Sequence, residues 1–307
     1  MKNVAVLLST YNGEKYLREL LDSVFNQKDV NLTLFVRDDG SSDKTVEILN
    51  EYRAKSFPLL FLKCEKGNLG YAKSFSILIN NSPSTFDYYA CCDQDDVWLP
   101  NKLSDAISEI EKVGNADIPI LFHSSCIVTD ENLKEITRNS HPYYSRHTNT
   151  RFEESLLMTN INGCTAVFNK TLKELYSKVP IDRIIGHDFT LCTLASAFGE
   201  VVFSDNSAIY YRQHKHNSFG YYKFSLLRSL KNFFKHEVKA LRTYEAQMIK
   251  DLFYDDLSEH NKHFIDLILN YNKSRKDKKA LKRYIKKNIE NKTVRTYSKL
   301  LINLNKL

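Results

Sequence analysis

The sequence predicts an α/β protein, with a mixed, mostly parallel sheet carrying helices on both faces and a helical extension at the C-terminus. Three observations predict it. Apolar strand-like runs alternate with helix-spaced stretches through roughly the first hundred residues. Three of those runs end in polar loops, Thr10-Tyr11-Asn12, Asp38-Asp39-Gly40 and Asp93-Gln94-Asp95-Asp96. Beyond residue 222 the chain changes to lysine-rich helical stripes. The expected division is a body over 1–222 and a basic helical region over 223–307.

In order, the first strand is read over 3–9, a short apolar run. Tyr16, Leu17, Leu20, Leu21, Val24 and Phe25 then recur at helical spacing. A second strand over 32–37 leads to a helix carrying Val46, Leu49 and Tyr52, with Asp43 as its N-cap. A third strand over 59–63 runs into Gly67-Asn68-Leu69-Gly70 and a helix around Phe75, Leu78 and Ile79. The fourth strand, Tyr88-Tyr89-Ala90-Cys91-Cys92, delivers Asp93, Asp95 and Asp96 together. Three acids so close repel one another unless fully solvated or neutralised by a cation. A metal–diphosphate site satisfies that condition, since magnesium is commonly held by one or two carboxylates plus phosphate oxygens. A solvated acidic turn is the alternative.

Trp98, the one tryptophan, and Pro100 introduce a helix over 101–113. Residues 118–128 read as a strand in which His123 is structural. Residues 130–150 form a polar excursion that either flanks an acceptor or is plain solvated loop. Asn160-Ile161-Asn162-Gly163-Cys164 turns into another apolar strand, and Gly163 permits close backbone approach. His187-Asp188 opens a helix with Leu191, Leu194, Ala195 and Phe198 on one face, and Asp188 suits a cap. A last strand from 208 runs into Arg212, His214, Lys215 and His216.

Composition narrows the class. Of 307 residues, 42% are hydrophobic and 26% charged, which fits an ordinary globular protein. The six cysteines form no CxxC pair and sit in apolar runs, so reduced core thiols of a cytoplasmic protein are expected rather than a disulfide frame. The N-terminal apolar run is too short and too early for a signal peptide, and no stretch of about 18 apolar residues occurs. The net charge of +7 is uneven: residues from 223 onward carry 21 basic and 9 acidic side chains, leaving the earlier body weakly acidic. The basic stripes suit either docking on an anionic membrane face, which would make the protein peripheral on the inner side of the plasma membrane, or mutual packing and a homodimer. GxGxxG and GxxxxGK[ST] are both missing.

Ser9-Thr10-Tyr11-Asn12-Gly13, Asp38-Asp39-Gly40-Ser41-Ser42-Asp43, Asn68-Leu69-Gly70 and Cys92-Asp93-Gln94-Asp95-Asp96-Val97-Trp98 together resemble the motifs of family 2 inverting glycosyltransferases. The Asp-Gln-Asp-Asp-x-Trp form is similar to the branch that includes bacterial rhamnosyltransferases and other cell-surface polysaccharide enzymes. The resemblance covers about residues 3–220. It implies the nucleotide-diphospho-sugar transferase (GT-A) fold and a metal-dependent inverting transfer from dTDP-rhamnose or a UDP-hexose. It implies Asp38 as acceptor of a hydrogen bond from the uracil or thymine ring, with Asp39 either on the same nucleoside or holding the loop. The same turn also reads as one rich in capping residues. Thr10 and Tyr11 would line the nucleotide pocket, Asp93 would face the ribose or sugar, and Asp95 would be the main ligand of Mg2+ or Mn2+. Gly163, Cys164 and Trp98 would lie around the donor sugar and acceptor. Asp188 matches the catalytic base, although His187 stands where the family usually has Glu. His214 would complete the metal shell, and Arg212 and His216 would meet the diphosphate. The Gln-x-x-Arg-Trp motif of processive members is missing, which implies single additions. The expected partners are the nucleotide-sugar donor and a glycan or lipid-linked acceptor, with no nucleic acid. A sugar nucleotidyltransferase is a competing reading, but its Gly-rich basic loop after the first strand is lacking. A non-enzymatic basic binding module is the other.

Overall fold

The alternating pattern becomes a series of β-α units in the computed structural model, which describes residues 1–62, 67–138, 151–158, 161–215, 217 and 241–307. In chain order the first half runs β1 (Lys2–Thr10), α1 (Leu17–Phe25), β2 (Val30–Asp38), α2 (Thr45–Ala54), β3 (Leu59–Phe61), α3 (Tyr71–Asn81), β4 (Tyr88–Asp93), β5 (Val97–Trp98), α4 (Lys102–Glu111), β6 (Ile120–Ser124), β7 (Ile127–Thr129) and β8 (Glu135–Thr137). Then follow α5 (Phe152–Leu157), β9 (Val167–Asn169), α6 (Lys170–Tyr176), α7 (His187–Phe198), β10 (Glu200–Ser204) and β11 (Ile209–Arg212). The described helices after residue 240 are α8 (Leu241–Phe253), α9 (Glu259–Asn270), α10 (Arg275–Asn288) and α11 (Lys292–Asn303).

The chain divides into two compact units. One holds Met1–Ser140, Ile161–Ala195 and Gly199–Tyr221; the other holds His141–Asn160, Ser196–Phe198 and Tyr222–Leu307. In the first, seven strands lie in the order β10-β6-β9-β4-β1-β2-β3. All neighbours are parallel except β9, which runs antiparallel to both β4 and β6. A smaller sheet has the order β5-β11-β7-β8.

β1 reads as a continuous apolar run because both its faces are covered. Val4, Val6 and Leu8 share a core with Leu17, Leu20, Leu21 and Val24 of α1, Ile48 and Leu49 of α2 and Leu103 of α4. The alternate residues of the central strands, Leu7, Tyr89 and Cys91, are equally buried on the other face, where Ser76 of α3 bonds Tyr176 of α6. Each fully buried Leu contributes roughly 1.5–3 kcal/mol, so this sandwich fixes the sheet and hence the strand ends.

Four local expectations change. The third strand stops at Phe61. The run over 118–128 is two strands in different sheets, with Ser125 N bonded to Ser204 O where they part. Asp43 does its capping from just outside α2: its carboxylate accepts from Thr45 N and Glu14 N, while Lys44 holds the cap position. In the second unit the apolar stripes turn inward. Met248, Ile249, Phe253, Phe264, Ile265, Ile268, Leu281, Ile285, Val294, Leu301 and Ile302 are buried, and the Phe264 and Tyr284 rings stack. These stripes thus serve mutual packing rather than insertion into an interface. The part of the expected helical region before residue 241 lies outside the described residues. Among the described residues no helix is long and apolar enough to cross a membrane.

Candidate active site

Strand register builds the site. Thr10 pairs with Asp38 across β1 and β2, and Ser9 pairs with Asp93 across β1 and β4, so three carboxyl-terminal strand ends meet at one sheet edge. Ligands of open α/β sheets bind along that edge. Asp38 is oriented there by Thr10 Oγ1 at 2.9 Å, Ser41 Oγ at 2.6 Å and Ser41 N at 2.8 Å. Tyr11 is 47% exposed, the exposure a stacking ring requires. Its backbone N–H donates to Gln94 Oε1 at 2.8 Å, and Gln94 Nε2 donates back to Tyr11 O at 2.9 Å. This two-way amide clamp ties the first loop to the acidic loop. A Cβ at Gly13 would lie 2.4 Å from Gln94 Oε1, so the clamp requires glycine at that point. Gln94 escaped the sequence reading; its only signal was its place inside the acidic motif.

Asp39 is buried and its oxygens are used within the chain. It pairs with the buried Arg37 and accepts from Leu69 N and Gly70 N, each at 2.8 Å. Of the two roles open to it, its contacts serve holding the loop.

The acidic loop separates three carboxylates by environment. Asp96 is fully buried; Oδ1 accepts from Arg212 N at 3.2 Å, while Oδ2 has no hydrogen-bond partner among the described residues. Burial, then Asp95 and Asp93, pushes its carboxyl well above the usual range. Asp93 is only half-exposed and is pushed up to about 7 by desolvation, then by Asp95 and Asp188. Asp95 is braced by His214, whose Nε2 lies 2.8 Å from Oδ2, and by Asn217 Nδ2 at 3.3 Å. The two expected metal ligands therefore stand side by side. Carboxylates suit Mn2+, and an Asp96 oxygen without a partner among the described residues, beside carboxyls raised by burial and then by one another, marks a region that cationic charge would relieve. Asp93, Asp96 and Cys164 also bring ligand atoms within 4.8 Å of one another. Burial keeps the Cys164 thiol protonated, so this inner cluster offers no thiolate.

Asp188 lies in the first turn of α7, half-buried, with Oδ1 accepting from Phe189 N at 2.9 Å. His187 is buried and stacked on Phe75 at 4.2 Å. A Cβ at Gly163 would stand 2.7 Å from His187 Nε2, so the turn before β9 approaches α7 as closely as glycine allows. Tyr71, which sequence reasoning passed over, is close enough to Asp188 for that acid to raise its phenol, after burial.

Two expected site residues face elsewhere. Arg212 is buried: it donates to Asp95 O at 2.8 Å, to Glu131 O at 2.6 Å and to Glu19, and it lies 4.4 Å over the Tyr16 ring. Its guanidinium is spent on joining the acidic loop to α1, which withdraws it from a diphosphate. Trp98 is 2% exposed, with the Lys102 ammonium 3.8 Å over its ring, and belongs to the core rather than to an acceptor loop. His216 lies outside the described residues.

Residues 5–176 match the family model for glycosyl transferase family 2. A dTDP-rhamnosyl transferase of Shigella flexneri, RfbG, is 27% identical over 231 residues, covering 69% of this chain and 73% of the relative. An uncharacterized glycosyltransferase of Methanocaldococcus jannaschii is 32% identical over 201 residues, covering 64% and 66%. Among solved structures, S. aureus TarS 1–349 in complex with UDP-GlcNAc superposes with a TM-score of 0.60 at 18% identity, over 93% of this chain and 79% of that one. The Pyrobaculum calidifontis mannosyltransferase PcManGT, in complex with GDP-Man and Mn2+, superposes at 0.53 and 15% identity, over 100% and 88%. The fold is therefore that of the GT-A glycosyltransferases, and with more than half of its length matched to the family model, the chain belongs to glycosyl transferase family 2.

Proposed function

We propose that this glycosyltransferase moves a single sugar, with inversion, from dTDP-rhamnose or a UDP-hexose to a cell-surface polysaccharide or lipid-linked glycan. The observation that carries the reading is the meeting of the Asp38 turn, the exposed Tyr11 ring and the Asp95–His214 pair at one sheet edge, within electrostatic reach of Asp188 through Asp93. Tyr11 stacks on the base and Asp38 accepts from its ring N–H. Asp93 faces the ribose or sugar. Asp95 and His214 would hold Mg2+ or Mn2+, which when bound offsets the charge of the leaving diphosphate. Asp188 takes the proton of the acceptor hydroxyl as that oxygen attacks the anomeric carbon. Support for the donor comes from the Shigella dTDP-rhamnosyl transferase, and support for the cation from the mannosyltransferase complex.

Product analysis tests the class. Incubation with dTDP-rhamnose, UDP-hexoses and Mn2+ should release free nucleoside diphosphate. Release of pyrophosphate instead would mark a nucleotidyltransferase. Asp188→Asn should lower turnover by on the order of a hundredfold or more, the usual worth of a general base, while donor affinity stays near wild type. Equal loss of donor affinity would make Asp188 a structural cap.

A further inference from the structure

Helix α10 carries a charged face that the transfer reaction does not use. Arg275, Lys276, Lys279, Arg283, Lys286 and Lys287 are all exposed. At about 100° per residue they fall within roughly a 120° arc, running about 18 Å along the helix. The opposite side is anchored by Leu281 and Ile285, both fully buried. The row is therefore held outward by the packing of its own helix. Among the described residues none of the six is drawn into an ion pair. The one acid of the helix, Asp277, is turned to Ser274 at its N-terminus, and Glu290 beyond its end is engaged by Arg151. Lys278 and Lys282, at the edge of the arc, donate to Asn303 of α11. Leu300 and Leu304, which flank Asn303, are 37% and 39% exposed.

A long cationic row bordered by exposed leucines has the chemistry of a surface that lies on a lipid interface. We propose that the α10 row docks the protein on an anionic phospholipid surface. The arc offers no aromatic ring on which a nucleic-acid base would stack. A second copy meeting this row about a two-fold axis would set like charges against like. Lysine and arginine near an anionic leaflet each add to partition, and six on one face act together. The inference goes beyond the transfer reading and holds whatever the donor.

The test is co-sedimentation of the full chain with phosphatidylcholine vesicles, with and without phosphatidylglycerol, at low and high salt. Binding is expected with the anionic vesicles alone and should weaken as salt rises. The combined variant Lys279→Glu, Arg283→Glu and Lys286→Glu should lower the partition by on the order of tenfold or more, with an unchanged melting temperature. If that variant unfolds, Lys276→Gln with Lys287→Gln carries the test, with a smaller loss expected. Wild-type protein left in the supernatant at low salt, equal binding to neutral vesicles, or binding untouched by both variants would overturn the proposal. So would displacement from vesicles by RNA at equal phosphate concentration, which would assign the row to nucleic acid. Nucleotide-induced thermal shifts should be the same in wild type and variants, so a failure of docking and a failure of the transfer reading are read separately.

Discussion

His187 is a buried imidazole whose two ring nitrogens have no hydrogen-bond partner among the described residues. Burial holds its pKa below the ordinary value, although Asp188 pulls the other way. The folded protein therefore resists a proton that the unfolded chain accepts from about pH 6.5 downward. The unfolded state binds more protons below that pH, so stability falls as pH falls. Melting temperatures at pH 7 and pH 5 should differ less in His187→Leu than in wild type. An identical pH slope in both would show that His187 contributes nothing to the acid sensitivity. At this scale the sequence disclosed residue types but not their directions. Asp95 and His214 were singled out by residue type and motif, and the structure sets them 2.8 Å apart. Arg212 was misplaced because nothing in Tyr-Arg-Gln-His shows that Glu19 and two distant carbonyls draw the guanidinium inward. Trp98 was misplaced for a related reason: its place in the motif says nothing of its packing, and in the structure it is buried beneath the Lys102 side chain.

The loops at the sheet edge are held by a buried ion pair. Arg37 and Asp39 sit at and just past the end of β2, and Asp39 also takes the N–H groups of Leu69 and Gly70, which lead into α3. Arg37 adds Ser74 Oγ at 2.9 Å. Removing one member strands a buried charge, at a cost of about 3–5 kcal/mol. Asp39→Asn should lose that much in urea unfolding, and Arg37→Met with Asp39→Leu should recover a large part. A double variant as unstable as the single one would show that the hydrogen bonds to Leu69 and Gly70 matter more than the charges. Most elements were legible because strands covered on both faces read as unbroken apolar runs, and helices read by their period. The run over 118–128 misled because its polar break, His123-Ser124-Ser125, is as buried as the apolar halves on either side, so burial does not mark where the chain changes sheets.

For the whole molecule, ligand binding is read as stability. A ligand that binds only the folded state at a hundred times its Kd adds about 2.7 kcal/mol. UDP or dTDP with Mn2+ should raise the melting temperature more than nucleotide alone, and Asp95→Asn should remove the difference. A cation increment that survives in Asp95→Asn would move the metal elsewhere. The sequence marked a change of character near residue 222, whereas the second unit is made of three separated segments, His141–Asn160, Ser196–Phe198 and Tyr222–Leu307. Composition could not show that, because the assignment of a segment depends on what it packs against. One reversed strand has a further consequence. β1, β2 and β4 send the chain outward at the sheet edge, whereas β9 runs the other way, so the turn Gly163–Thr165 arrives there instead of leaving. Three loops begin where their strands end, and each is bound to the register of its strand. The fourth is the terminus of an incoming segment, whose length upstream the register does not dictate. On the proposed reading, relatives that share a donor and differ in acceptor should therefore diverge ahead of residue 163 and agree at the three outgoing ends.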